Sequence, residues 1–151
     1  MHTLVRRYLK TAIAFLGVGL ALGAWMLVRR ELQGQAAGSY LVSAHTHAIV
    51  VGFIMMMILG VALWMFPRPA QDDSRYNPRA AEAAYWLLTV GTATRLAGEL
   101  ARNAGGGGAL RWIIVIAGLA QVAGLGLFFH TMWSRIRPAG SRAREERGER
   151  F

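Results

Sequence analysis

The stretch Tyr40–Phe66, YLVSAHTHAIVVGFIMMMILGVALWMF, is the strongest indication of fold in this chain. It contains no Asp, Glu, Lys or Arg, and it is longer than the ~20 residues that a helix needs to cross ~30 Å of hydrocarbon. Backbone N–H and C=O groups in lipid must be satisfied within their own segment, so such a run predicts a transmembrane helix. Its two histidines, His45 and His47, lie near its start.

Three further apolar runs flank this stretch and complete a set of four predicted spans. The spans cover about residues 11–28, 40–66, 80–101 and 110–133. In the whole chain 54% of residues are hydrophobic and 17% are charged, which excludes a disordered chain and an ordinary small soluble domain. We therefore predict an all-α integral membrane protein, with a four-helix transmembrane domain over residues 1–136 and a basic tail over residues 137–151.

Basic residues are distributed unevenly between the two sides of this predicted bundle. Four spans place both termini on one side, and that side carries twelve basic residues: Arg6, Arg7, Lys10, Arg68, Arg75, Arg79 and the six arginines of residues 135–150. The other side carries four, which are Arg29, Arg30, Arg102 and Arg111. The positive-inside rule then predicts cytoplasmic termini and an inner (plasma) membrane location. The net charge of +9 thus reflects topology and contact with the lipid bilayer, and nucleic acid is not a predicted partner.

Three histidines lie within the predicted spans, where ionisable side chains are costly and mark candidate functional sites. His45 and His47 lie roughly 8–10 Å below the outer end of their span, whereas His130 lies roughly 30 Å from the outer end of its own. His130 therefore cannot share one metal ion with His45 or His47 of the same chain. The chain has no cysteine, which excludes a thiolate metal site, an iron–sulfur cluster and a disulfide.

The direction of the two outer histidines indicates how they could bind a cofactor. Residues two apart on a helix point about 200° away from each other, so His45 and His47 face different neighbours. Haem takes axial ligands from its two faces. We hypothesise that His45 of one copy and His47 of the next hold one haem iron at each interface of a homo-oligomer. The alternative is that a histidine only forms a hydrogen bond to a neighbouring helix.

Arg95 is a candidate binder of the haem propionates. It lies about 10 Å below the outer end of the third span, level with the two outer histidines. A buried arginine requires a counter-charge. Haem propionates could supply that charge through bidentate pairing, and so could Glu99, which is four residues further along the same helix. The two arrangements are compatible, and both stay open.

Small and polar residues within the spans are interpreted as packing features. Gly17 with Gly23, and Gly118 with Gly124, are expected to allow close approach of helices. Gln121 is expected to bond to a neighbouring helix or to a water. No row of polar residues is recognised along any span, so a channel or transporter is disfavoured.

The segment Ala44–Pro69, AHTHAIVVGFIMMMILGVALWMFPRP, resembles a helix from subunit I of the haem-copper oxidase and nitric oxide reductase superfamily. The similarity rests on the outer histidines, on Gly52 and Gly60, and on the closing Phe66-Pro67-Arg68. In that family a histidine near the periplasmic end of the second helix ligates low-spin haem, and another helix carries an HxH pair that serves two haems. The resemblance therefore implies that both outer histidines are ligands of haem iron.

The same resemblance implies an oligomer and a function. The family's catalytic subunit has twelve helices in three arcs of four, so this chain is similar to one arc, and a homotrimer would imitate the whole subunit. The family's second metal site uses an adjacent His-His pair, which this sequence lacks.

We therefore expect a membrane haem b protein for electron transfer, or for holding or sensing haem, with a redox partner that the sequence does not identify. One alternative is a gas-reacting enzyme for nitric oxide or oxygen with one axial histidine. Another is a haem-free accessory or assembly subunit of a respiratory complex.

Overall fold

Helices make up nearly all of the described structure, in agreement with the predicted class. The computed structural model describes residues 2–66, 77–136 and 147–148. The elements are α1 (His2–Gln33), α2 (Ser39–His47), a π-helix (Ala48–Met55), α3 (Met56–Met65), α4 (Pro78–Asn103), α5 (Leu110–Met132) and a 3-10 turn (Trp133–Arg135). The tail predicted over residues 137–151 lies outside the described residues, apart from Arg147 and Gly148.

The second helix differs from the prediction because it is not α-helical throughout. The elements α2, π-helix and α3 form one continuous helix over Ser39–Met65, hereafter the histidine helix. Ala44, Ala48, Gly52 and Met56 are all buried and follow one another at intervals of four. In an α-helix of 3.6 residues per turn, residues four apart drift gradually around the helix axis. A π-helical turn contains more residues, which offsets this drift. The π-helix therefore keeps this row directed at α1.

Glycines allow α1 and the histidine helix to approach closely. A Cβ atom added at Gly52 would lie 2.6 Å from the ring of Phe15, and one added at Gly60 would lie 2.9 Å from Cβ of Tyr8. Small residues at such crossings let helix backbones pack without a hydrophobic driving force, which lipid does not provide. The crossing thereby fixes the position of the histidine helix relative to α1.

The glycine pairs singled out in the sequence behave differently from one another. An added Cβ at Gly23 would lie 2.9 Å from Cε1 of His45, and one at Gly124 would lie 3.0 Å from Leu88, so close approach is confirmed at both. At Gly118 the nearest atom would be Nη1 of Arg95 at 3.2 Å, which shows that this glycine leaves space for a guanidinium group. Gly17 faces open space, and the prediction of a close approach there is wrong.

Contacts between helix ends establish an antiparallel, up-and-down order. At the end that we call the amino-terminal end, Arg7 forms an ion pair with Glu82 at 2.5 Å, and the ring of Tyr8 lies 6.0 Å from that of Phe128. At the opposite end, which we call the histidine end, Arg102 near the end of α4 donates to the hydroxyl of Tyr40 at 3.4 Å. The start of α1 therefore meets the start of α4 and the end of α5.

Three of the described helices are long and apolar enough to cross a membrane. They are Thr3–Gln33, Ser39–Met65 and Leu110–Arg135, with mean hydropathies of 2.1, 2.6 and 2.2. The helix α4, predicted as a span over residues 80–101, is not among them. The structure therefore supports a membrane helical bundle of three apolar helices with one more polar helix packed among them.

Arg135 closes the amino-terminal end of the bundle. It is 2% exposed, and its guanidinium donates to the carbonyls of Leu63 at 3.1 Å and Phe66 at 3.0 Å. The carbonyl of Leu63 would ordinarily accept from the residue four positions on, but that residue is Pro67, which has no N–H. Arg135 thus satisfies a carbonyl that the proline leaves without its helical donor.

Replacing Arg135 should destabilise the fold more than replacing an exposed arginine of the same helix. Arg135→Met keeps the volume of the side chain but leaves two carbonyls without this donor, which should lower the free energy of unfolding by about 2–4 kcal/mol. Arg111→Met, at the exposed start of α5, serves as the matched control. Denaturation of both variants in detergent, followed by tryptophan fluorescence, measures the difference. Equal stability of the two variants would contradict the capping role of Arg135.

Candidate functional site

His45 projects from the histidine helix toward α1. Its Nδ1 atom lies 2.9 Å from the carbonyl oxygen of Gly19, and its Cε1 atom packs against Gly23. A carbonyl can only accept a hydrogen bond, so Nδ1 carries the proton and donates. In the neutral imidazole Nε2 is then the nitrogen with the free lone pair, which is the atom that can bind a metal.

A cavity borders this imidazole at the histidine end. Its volume is about 320 Å³, and it is lined by α1, by the following loop and by the histidine helix, through Gly23, Met26, Leu27, Arg30, Ala37, Val42 and His45. Leu27 and Val42 are exposed, so the cavity opens at the protein surface. An apolar groove with one imidazole and one guanidinium can accept a flat apolar ring that carries acidic groups.

His47 is held on the other side of the histidine helix. Its Nδ1 atom lies 2.9 Å from the carbonyl oxygen of Ser43 and 3.4 Å from the hydroxyl of the same residue. As for His45, Nε2 is the nitrogen with the free lone pair in the neutral imidazole of His47. Among the described residues, no hydrogen bond involves Nε2 of either histidine.

A buried polar network lies beside His47. The hydroxyl of Ser43 donates to Oε1 of Glu99 at 2.8 Å, and Nε of Arg95 donates to the same oxygen at 3.0 Å. Gln121 of α5 accepts from Arg95 at 3.5 Å and donates to Thr92 of α4 at 3.0 Å. The network therefore connects the histidine helix, α4 and α5.

The contacts in this network confirm two predictions from the sequence. Arg95 pairs with Glu99, which is one of the two counter-charges left open by the sequence, and Gln121 bonds to a neighbouring helix. Glu99 is 2% exposed, and its second oxygen, Oε2, has no hydrogen-bond partner among the described residues. The Arg95 side chain retains 24% exposure, so its guanidinium is partly accessible from outside the chain.

The helix α4 carries a row of polar residues on its protein-facing side, although no such row was recognised in the run from which this helix was predicted. Tyr85, Thr89, Thr92 and Glu99 follow at intervals of four, three and seven, which places them on one helix face. Tyr85, Thr92 and Glu99 are buried, and the Oγ1 atom of Thr89 is buried without a partner among the described residues. The spacing of these four residues in the sequence is the signal that could have identified this polar face.

His130 does not belong to this site. It is exposed on α5 and lies two residues beyond Phe128, whose ring contacts Tyr8 at the amino-terminal end. The described part of the chain contains no group of three or more His, Cys, Asp or Glu residues arranged to hold a metal ion. His45 and His47, the candidates that the sequence indicated, contact different neighbours at the histidine end, since His45 faces α1 and His47 lies beside the Ser43–Glu99 contact with α4.

Comparison with known proteins extends the resemblance beyond the histidine stretch. The family model for cytochrome c and quinol oxidase polypeptide I matches residues 3–144, which include all of the helices described above. No curated protein and no solved structure matches the chain. The match covers most of the 151 residues, so the chain belongs to the cytochrome c and quinol oxidase polypeptide I family, within the haem-copper oxidase superfamily.

Proposed function

We propose that this protein binds haem b at the interfaces of a homo-oligomer and serves in electron transfer, or in holding or sensing haem. The observation that carries the proposal is the state of its two outer imidazoles. Each has Nδ1 bound to a backbone carbonyl, which leaves Nε2 as the donor atom for iron. Members of this family bind haem, and these two residues fit that group.

The divergence of the two histidines supports a shared site. His45 lies against α1, whereas His47 lies beside the Ser43–Glu99 contact with α4, so one chain does not direct both imidazoles at one iron. His130 lies at the opposite end and cannot supply the second ligand. His45 of one copy with His47 of the next completes a pair, and a trimer of four-helix chains would imitate the twelve-helix subunit of the family.

Each part of the site has a role in this proposal. His45 and His47 would hold the haem iron through their Nε2 atoms, and haem held by two histidines would carry single electrons without binding a gas. Arg30 at the cavity and Arg95 beside Glu99 supply positive charge for the propionates. The partial exposure of Arg95 supports a contact with a group outside its own chain.

We also propose that α4 crosses the membrane as a fourth span, with both termini cytoplasmic. Its polar residues Tyr85, Thr92 and Glu99 are buried, while Trp86 and Val90 on the opposite face are 49% and 55% exposed. Polar residues inside and apolar residues outside suit a helix surrounded by lipid. Its 26 residues would extend about 39 Å, enough to cross the hydrocarbon core.

Single-cysteine labelling tests this topology, because the natural chain has no cysteine. We expect Gln35→Cys and Gly107→Cys to react with an impermeant maleimide in intact spheroplasts, and Ser74→Cys to react only after permeabilisation. The first two positions lie in loops that four spans place on the outer side. Reaction of Gly107→Cys only after permeabilisation would show that α4 does not cross.

Haem binding should depend on both histidines. His45→Ala and His47→Ala should each lose most of their haem, or convert it to a high-spin form, because each removes an axial ligand. Pyridine haemochrome assays and optical spectra of the purified variants measure this, with insertion checked by membrane fractionation. Unchanged haem content and spectra in both variants would contradict the assignment.

A glycine pair on α1 provides a control that leaves both histidines intact. Gly23→Val should reduce haem content to roughly a tenth or less, since even a Cβ atom there would come within 2.9 Å of the His45 ring. Gly17→Val should leave haem content unchanged, because Gly17 faces open space. Equal haem content in the two valine variants would argue against His45 as a ligand held in this groove.

A further inference from the structure

The two candidate ligands differ in the groups that their Nδ1 atoms contact. His45 donates from Nδ1 to the backbone carbonyl of Gly19, which is a neutral acceptor. His47 donates from Nδ1 to the carbonyl of Ser43, and the hydroxyl of Ser43 lies within 3.4 Å of the same nitrogen. That hydroxyl is itself bound to a carboxylate, so only His47 among the two is connected to an acidic group by the hydrogen bonds of the described residues.

Two contacts form this connection. The Nδ1 atom of His47 lies 3.4 Å from the hydroxyl oxygen of Ser43, and that hydroxyl donates its proton to Oε1 of Glu99 at 2.8 Å. The oxygen of Ser43 therefore has a lone pair available on the side of the imidazole. The contact crosses from the histidine helix to α4, and it places the carboxylate one hydroxyl group away from the ring.

The carboxylate of Glu99 is only partly compensated by its surroundings. Its Oε1 atom accepts from both Ser43 and Arg95, whereas Oε2 has no hydrogen-bond partner among the described residues. The residue is 2% exposed, and burying a carboxylate in this way is costly. Partners of the second ring nitrogen orient a ligating histidine and increase its basicity, and their loss typically changes metal affinity by about 10–100-fold.

We propose that Glu99 is a positioning residue for His47, acting through Ser43 to fix the imidazole and make it the more electron-rich of the two ligands. This inference rests on the proposed haem site. A more basic ligand stabilises ferric iron relative to ferrous iron, so the relay lowers the reduction potential of the haem. Both ligands donate to a backbone carbonyl, and the asymmetry is that only His47 has a further contact that leads to a carboxylate.

Potentiometric titration of the haem-loaded protein tests the relay with three variants. Glu99→Gln should shift the ferric–ferrous equilibrium toward ferrous haem by about tenfold, which is about 59 mV for one electron. Ser43→Ala should shift it in the same direction, because it interrupts the relay while keeping the charges of Glu99 and Arg95. Glu82→Gln, which alters a half-exposed carboxylate at the amino-terminal end of the same helix, should cause no shift.

The double variant and a spectroscopic readout make the outcomes distinct. Ser43→Ala combined with Glu99→Gln should shift the potential no further than the larger single variant, since both interrupt one series of contacts. Electron paramagnetic resonance of the ferric protein should show altered low-spin g values in both single variants, with haem content retained. Retained haem with unchanged potential and g values would overturn the relay, as would a shift in Glu99→Gln alone. Absence of haem from the wild type would instead overturn the haem site itself.

Discussion

Polar groups that lie away from water must find their partners within the protein, and this constraint organises the chain from one end to the other. At the amino-terminal end, Arg135 donates to the carbonyl of Leu63, to which Pro67 cannot donate, and to the carbonyl of Phe66. At the histidine end, Glu99 accepts from Ser43 and Arg95 and so joins the histidine helix to α4. The most polar of the four long helices is consequently the one whose polar side chains are turned inward.

The positions of the two histidines follow from this packing. Glycines on α1 let the histidine helix approach closely enough for His45 to donate to a backbone carbonyl of α1, and they leave a cavity beside its ring. The π-helix that begins immediately after His47 keeps the buried row of the histidine helix against α1. Such segments often occur at functional sites, and here it adjoins the candidate ligands. A fixed proton on Nδ1 of each ring is the chemical result.

The sequence predicted the helices well and their polar contacts less well. Hydropathy placed the histidine helix, α4 and α5 within about two residues of their observed bounds, because an apolar run in lipid has few alternatives to a helix. The first helix, predicted over about residues 11–28, extends over His2–Gln33, because its polar ends stay helical beyond the apolar run. The pairing of Arg95 with Glu99 followed from their spacing of four. The π-helix was not predicted because its residues resemble those of any apolar helix. The contact of Ser43 with Glu99 and the capping by Arg135 join distant segments, and only their packing could reveal them.

Haem binding is the claim on which the proposed function depends. The most direct measurement is the optical spectrum of the detergent-purified wild type, oxidised and dithionite-reduced, with a pyridine haemochrome count and a carbon monoxide difference spectrum. A low-spin b-type spectrum with about one haem per chain and no carbon monoxide shift is the expected result for shared bis-histidine sites. Carbon monoxide binding would contradict two axial histidines and favour a gas-reacting enzyme. A protein without a Soret band, even after expression with added haem, would contradict haem binding and favour an accessory subunit.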